Sequence, residues 1–242
     1  MPKDSSEAAP DAKPDFIIYG SPVSPFARKV AAVAIEKDVP FDIEAVNVFD
    51  PPEWFRAISP MKRIPVLRDR SIAAEGPEGT IADSSAICAY IERKHPAPTL
   101  YCSDAFDHGR ALMIEEYADT TLAMTGGLGI FRPIFFAVSK GEEADLATAR
   151  ATWNEKMPPI LTYLDAELNG RSFYAGDAVS IADISVTCIL MQIALVAEMP
   201  LGDYPALAAH FGRMTARASI AGPFAKADRA IRKALPERLD LT

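Results

Sequence analysis

Histidine and cysteine are scarce, three of each in 242 residues, and neither type clusters. Cys88, Cys102 and Cys188 are odd in number and far apart, which excludes a disulfide framework or a zinc pattern and leaves packing as their expected role. Long apolar runs are missing as well: none reaches the ~18 to 20 residues needed to cross a bilayer. The opening Met1-Pro-Lys-Asp-Ser-Ser-Glu has no apolar stretch of the kind a signal peptide carries, so the expected compartment is the cytoplasm, with no membrane span. Cations are in deficit, 25 Lys and Arg against 33 Asp and Glu, for a net charge of -8. That balance argues against nucleic acid and anionic membranes, which reward clustered Lys and Arg, and leaves a small molecule or another protein as partner. What is plentiful is apolar surface: 49% hydrophobic residues suffice for one large core or two smaller ones.

Along the chain, residues 1–14 are rich in Pro, Ala, Ser and charge without an apolar period, and read as a disordered leader. Phe16 to Tyr19 reads as a buried strand, Gly20 to Pro25 as the turn after it, and a helix follows with Ser24 as cap and Pro25 in its first position. Phe41 to Val48 alternates like a second strand, Ile64 to Leu67 resembles a third, and Thr80 to Ala82 reads as a short fourth strand or its end. A helix capped by Asp83 or Ser84 then runs to His95-Pro96. After Asp104 only helical spacing remains, over Phe106 to Thr125, Ala144 to Leu168, Ile181 to Ala197, Pro205 to Arg217 and Pro223 to Leu235. Gly126-Gly127-Leu128-Gly129 lacks the strand and the Lys-Ser/Thr of a phosphate loop and reads as a helix break. The predicted organisation is an α/β domain over 15–97, an all-α helical domain over 104–235 and a tail over 236–242.

Four segments carry chemistry. Ser24, in Ser21-Pro22-Val23-Ser24-Pro25-Phe26, sits at a helix start, where unsatisfied N–H groups favour a nearby anion; a plain cap is the alternative, and Ser21 is the runner-up for the chemistry. Tyr19 reads as a strand residue. In Arg63-Ile64-Pro65-Val66-Leu67, a cis bond before Pro65 would leave the Ile64 N–H and C=O free for a peptide-like ligand. Asp83-Ser84-Ser85-Ala86-Ile87 offers a hydroxyl and N–H to a carboxylate, with an acid beside it for an ammonium group. Ser180-Ile181-Ala182-Asp183 has the spacing of a helix-capping box. His95, His108 and His210 lie outside all four and read as surface or packing residues.

In this order the four segments resemble the glutathione transferases, over roughly Phe16 to Leu235. The resemblance implies a thioredoxin-like N-terminal domain, a helical C-terminal domain and a homodimer. It also implies that Ser24 (or Ser21) hydrogen-bonds the glutathione sulfur, that Arg63, Ile64, Pro65, Asp83 and Ser84 form the glutathione site, and that glutathione is a substrate rather than a bound cofactor. An apolar electrophile would then lie near Met113, Tyr117 and Thr120. Two departures count against this pocket: Asp83 stands where the family has glutamate, and the loop over Arg68 to Gly79 is longer than usual. Trp54, Arg132 and the terminal Arg238-Leu239-Asp240-Leu241-Thr242 are similar to an alphaproteobacterial cell-division branch of the superfamily that binds FtsZ filaments without using glutathione. On that similarity Trp54, Arg132, Asp240 and Leu241 are the expected partner-binding residues. The favoured expectation is therefore a non-catalytic division factor promoting constriction on FtsZ, and the alternative is a transferase that conjugates glutathione through Ser24.

Overall fold

The computed structural model describes residues 13–242. The leader expected over 1–14 falls, for residues 1–12, outside the described residues. At its end, the Pro14 carbonyl already accepts a hydrogen bond from Arg70, whose own N–H donates to Asp15 O at 2.8 Å.

The first half is β1 (Phe16–Gly20), α1 (Pro25–Glu36), β2 (Phe41–Ala45), α2 (Glu53–Ile58), β3 (Val66–Asp69), β4 (Thr80–Ala82) and α3 (Ser84–Lys94). The strands form one sheet in the order β2-β1-β3-β4, with β1 parallel to β2 and the other pairs antiparallel. Side chains of β1 divide by the strand period of two. Phe16 and Ile18 join the main core beneath α1 and α3, whereas Ile17 and Tyr19 pack on the other face with Val46, Phe55, Ile58 and Val66. The second strand stops at Ala45 rather than Val48, and being an edge strand it buries neither face well.

The second half is wholly helical: α4 (Ala105–Tyr117), a π-helical stretch (Ala118–Leu122), α5 (Ala123–Gly126) and a second π-helical stretch (Gly127–Phe136) follow one another without interruption. Then come α6 (Leu146–Ala151), a third π-helical stretch (Thr152–Lys156), α7 (Met157–Leu168), α8 (Ile181–Ala194), α9 (Pro205–Thr215) and α10 (Ala218–Ile231). The helix α8 is apolar on all sides and buried from Ile181 to Ile193, as expected of a bundle's central member. Packing of α1 against α8 and α10 joins the two halves.

Three expectations need correction. Gly126 to Gly129 is no helix break. A Cβ at Gly126 would come within 2.7 Å of Ile193 Cδ1, and one at Gly129 within 2.4 Å of Thr152 Oγ1, so these glycines let the helix approach its neighbours closely. Pro223 does not begin the last helix but lies inside α10, which starts after Arg217. The tail is not a free docking peptide. Leu239 bridges Ala197 in parallel, exchanging backbone bonds with Val196 (2.9 Å) and Glu198 (3.0 Å), and Leu241, 1% exposed, is a core residue whose carbonyl accepts from Asn154.

Candidate functional site

The sheet register brings the predicted site together. Tyr19 opposes Val66 and Val66 opposes Ala82, so the end of β1, the start of β3 and the end of β4 lie at one end of the sheet. From that end leave the Ser21 to Ser24 turn, the Ile64-Pro65 segment and the Asp83-Ser84 helix start. A Cβ at Gly20 would lie 3.1 Å from Ala27 Cβ and 4.0 Å from Pro65 Cβ, which places α1 and the proline together beside the strand end. Lys29 on α1 reaches Ser85 Oγ at 3.0 Å and so joins the starts of α1 and α3.

Ser24 is the N-cap of α1, accepting the Ala27 N–H at 3.3 Å, with Pro25 behind it as expected. Its hydroxyl proton is not needed for that bond and can be donated to an anion. Ser21 is similar: its Oγ accepts from Val23 N–H at 3.3 Å, and its carbonyl accepts from Ser24 N–H at 3.0 Å. The Ile64-Pro65 bond is cis. Ile64 precedes β3, and its N–H and C=O have no protein partner among the described residues. Arg63 is exposed, with its backbone fixed by Ser59, whose Oγ accepts from Arg63 N–H (3.1 Å) and donates to Arg63 O (2.9 Å).

Asp83, not Ser84, caps α3. One carboxylate oxygen accepts the N–H groups of both Ser85 and Ala86 at 3.0 Å, leaving the other oxygen for a ligand. Its backbone lies at φ 154°, a region that non-glycine residues seldom occupy. Ser84 follows as a buried first-turn residue. Tyr19 stacks on Trp54 at 5.0 Å between ring centroids, on the sheet face away from α1, consistent with a strand residue.

Charged residues beneath the site escaped the sequence reading. Lys29, 1% exposed, lies 2.6 Å from Glu115 Oε1 and 2.5 Å from Asp119 Oδ2. Burial opposes its charge, yet Cys88, Asp119 and Glu115 hold its pKa above the ordinary lysine value. Asp119 is shifted up, first by burial and in spite of Lys29. Asp119 lies in the first π-helical stretch and also accepts from Ser85 Oγ at 3.2 Å. Burial also pushes the Cys188 thiol up to about 11 and the Cys88 thiol higher still, so neither is a ready thiolate.

Elsewhere, Asp183 confirms the capping box and extends it. Oδ2 accepts from Ser180 N–H (2.8 Å) and Oγ–H (2.7 Å), and Oδ1 accepts from Tyr174 N–H (3.0 Å) and meets His210 Nε2 at 2.9 Å. Tyr117, expected near an electrophile, is half-buried and packs against the Tyr163 ring at 4.4 Å. Trp54 is 48% exposed on α2, and Arg132 lies over the Phe136 ring at 5.7 Å on the second π-helical stretch. Asp240 is exposed beside the buried Leu241; of the expected partner-binding set, Trp54 belongs to the first half and Arg132, Asp240 and Leu241 to the second.

Comparison with known proteins bears on most of the chain. The family model of the glutathione S-transferase N-terminal domain matches residues 18–99, and that of the C-terminal domain matches 123–218. A probable glutathione S-transferase DHAR2, chloroplastic, of Oryza sativa subsp. japonica is 29% identical over 74% of this chain, which spans 54% of that relative's length. Among solved structures, a glutathione S-transferase of Methylobacillus flagellatus KT with glutathione bound is 26% identical, with a TM-score of 0.68 over 86% of this chain and 98% of that one. FzlA from C. crescentus superposes with a TM-score of 0.77 over 87% of this chain and 92% of that one, and at 22% identity this likeness is one of fold. A sheet with a cis-proline at one end, two helix starts facing it and a helical bundle behind, matched in both halves by the two family models, make this chain a member of the glutathione S-transferase superfamily.

Proposed function

We propose that the chain is a glutathione-dependent transferase in which Ser24 stabilises the glutathione thiolate. The observation that carries this reading is that Ser24, the unpaired Ile64 backbone and the Asp83-Ser84 helix start leave from one end of the sheet. Each offers a different kind of group. Ser24 donates a hydroxyl proton at the positive end of α1, the Ile64 N–H and C=O suit the central peptide of a tripeptide, and Ser84 with the free Asp83 oxygen suits an amino-acid terminus. Arg63 adds a cation at the rim. The aspartate in place of the family's glutamate shortens the reach to the ammonium group by one methylene, so modest affinity is expected. The working unit is taken to be a homodimer. Calorimetric titration with glutathione should show saturable binding. Conjugation to chlorodinitrobenzene should fall about 10²-fold in Ser24→Ala, the loss typical of one thiolate- or oxyanion-stabilising donor. Absence of any glutathione binding would reject this function.

A second reading has one observation in its favour: the fold likeness to FzlA, together with exposed Trp54 and Arg132. On it, the chain binds FtsZ filaments as a division factor. The burial of Leu241 moves the expected contact away from the tail and onto Trp54 and Arg132. Cosedimentation with polymerised FtsZ, lost in Trp54→Ala and Arg132→Ala, is the expected result, and wild-type protein that stays in the supernatant rejects it.

A further inference from the structure

Arg28 lies one helical turn beyond Ser24, yet is 3% exposed. Among the described residues no carboxylate pairs with it, its Nη donors go to neutral oxygens, and its buried Nε finds no partner. Nη1 donates to Pro22 O (3.1 Å) and Val23 O (2.9 Å), and Nη2 donates to Cys188 O (3.2 Å) and Gln192 Oε1 (2.8 Å). Burial lowers its pKa to about 10, with Cys188 opposing. A buried cation without a counter-ion is costly, and a neutral apolar residue would fill the same space at less expense.

The two carbonyls that Arg28 holds belong to the turn between Ser21 and Ser24. That turn's N–H groups are already bonded within it, Val23 to Ser21 Oγ and Ser24 to Ser21 O. Arg28 thus secures the carbonyl side, and is itself secured by α8 of the helical half. We propose that Arg28 is a positioning residue for Ser24, and that Gln192, on the far side of the domain junction, sets its grip. For its effect on chemistry the proposal rests on the transferase reading; for the turn itself it rests on these contacts alone.

Gln192→Met removes the Oε1 acceptor at nearly equal volume, and Gln192→Glu restores an oxygen there. Both are first checked for native near-ultraviolet circular dichroism. In ligand-free protein, amide exchange at Val23 and Ser24 is expected to be about 10-fold faster in Gln192→Met and near wild type in Gln192→Glu, because exchange reports local opening. Unchanged exchange in Gln192→Met overturns the proposal, whether or not the protein binds glutathione. In chlorodinitrobenzene conjugation, kcat of Gln192→Met should fall about 10 to 10²-fold with KM for glutathione nearly constant, since a displaced reacting group costs rate more than binding. Gln192→Glu should recover the rate. A raised KM with unchanged kcat, or a loss that Gln192→Glu leaves in place, overturns the proposal. Wild-type protein with no conjugation removes the transferase reading and leaves the exchange result to decide the clamp.

Discussion

Ser24 uses one oxygen in two ways, accepting the Ala27 N–H while keeping a proton to donate. Substitutions separate the two roles. Ser24→Ala loses both and should cost about 1 kcal/mol in urea unfolding through the cap alone. Ser24→Asp keeps a capping acceptor but has no proton to give near neutral pH, so it should retain stability and abolish conjugation; an active Ser24→Asp would show that the hydroxyl only caps. Ser24 was legible in the sequence because its signals are local: a Ser-Pro pair before a run of small apolar residues. Arg28 and Lys29 were not. In Pro25-Phe26-Ala27-Arg28-Lys29 two adjacent cations resemble a solvated helix face, and the oxygens that bury them lie as far along the chain as Glu115, Asp119 and Gln192. Leu241 misled in the opposite direction, as a leucine in a charged terminus whose pocket is supplied by distant residues.

Elements built on these residues respond as units. Lys29 joins α1 to Ser85 on α3 and to Glu115 and Asp119 of the long helix, so removing its charge strands two buried carboxylates. Lys29→Met should therefore cost about 3 to 5 kcal/mol in denaturant melts, and combining it with Glu115→Leu and Asp119→Leu should restore most of that loss. A triple variant as unstable as the single one would contradict this. The glycines of the same helix behave differently from one another. Gly127 has open space around it, so Gly127→Ala should stabilise by about 0.5 to 1 kcal/mol. Gly129 abuts Thr152, so Gly129→Ala should destabilise by about 1 to 3 kcal/mol, and the two melting temperatures should move in opposite directions. This contrast explains why the segment was misread as a break. Glycine runs signal turns locally, whereas close helix approach depends on Ile193 and Thr152, which the local pattern does not reveal. Strand β1 was legible from its apolar run and β2 from its alternation, whereas the third strand was placed at Ile64 to Leu67, two residues before the observed β3. Pro223 misled because proline favours a helix's first turn, and here α10 had already begun at Ala218.

Across the whole molecule, α1 carries most of the polar traffic between halves. Besides Arg28 and Lys29, Glu36 takes two bonds from Arg217 at 2.8 and 2.7 Å and one from Ser219. Calorimetry should accordingly record one unfolding transition, and two resolved peaks would mean that these bonds do not couple the halves. Acid should weaken the assembly in a definite window. Arg217 lowers the Glu36 pKa against burial. Asp69 is held at about 2 despite burial, by Lys94, Ser71 and Tyr90. Both carboxylates have folded pKa values below their unfolded ones, so their contribution is complete above the unfolded value and is lost as pH falls toward the folded one. For Asp69 the loss, on the order of 2 kcal/mol, falls between about pH 4 and pH 2. Urea midpoints of Asp69→Asn should be flatter than wild type across that interval. The placement of α1 has an evolutionary corollary. A helix that belongs to one half by covalent bonding but finds its acceptors in the other makes recombination difficult: transplanting the sheet half onto a foreign bundle would strand its cations unless Gln192, Glu115 and Asp119 came too, so lineages of this kind should inherit both halves together.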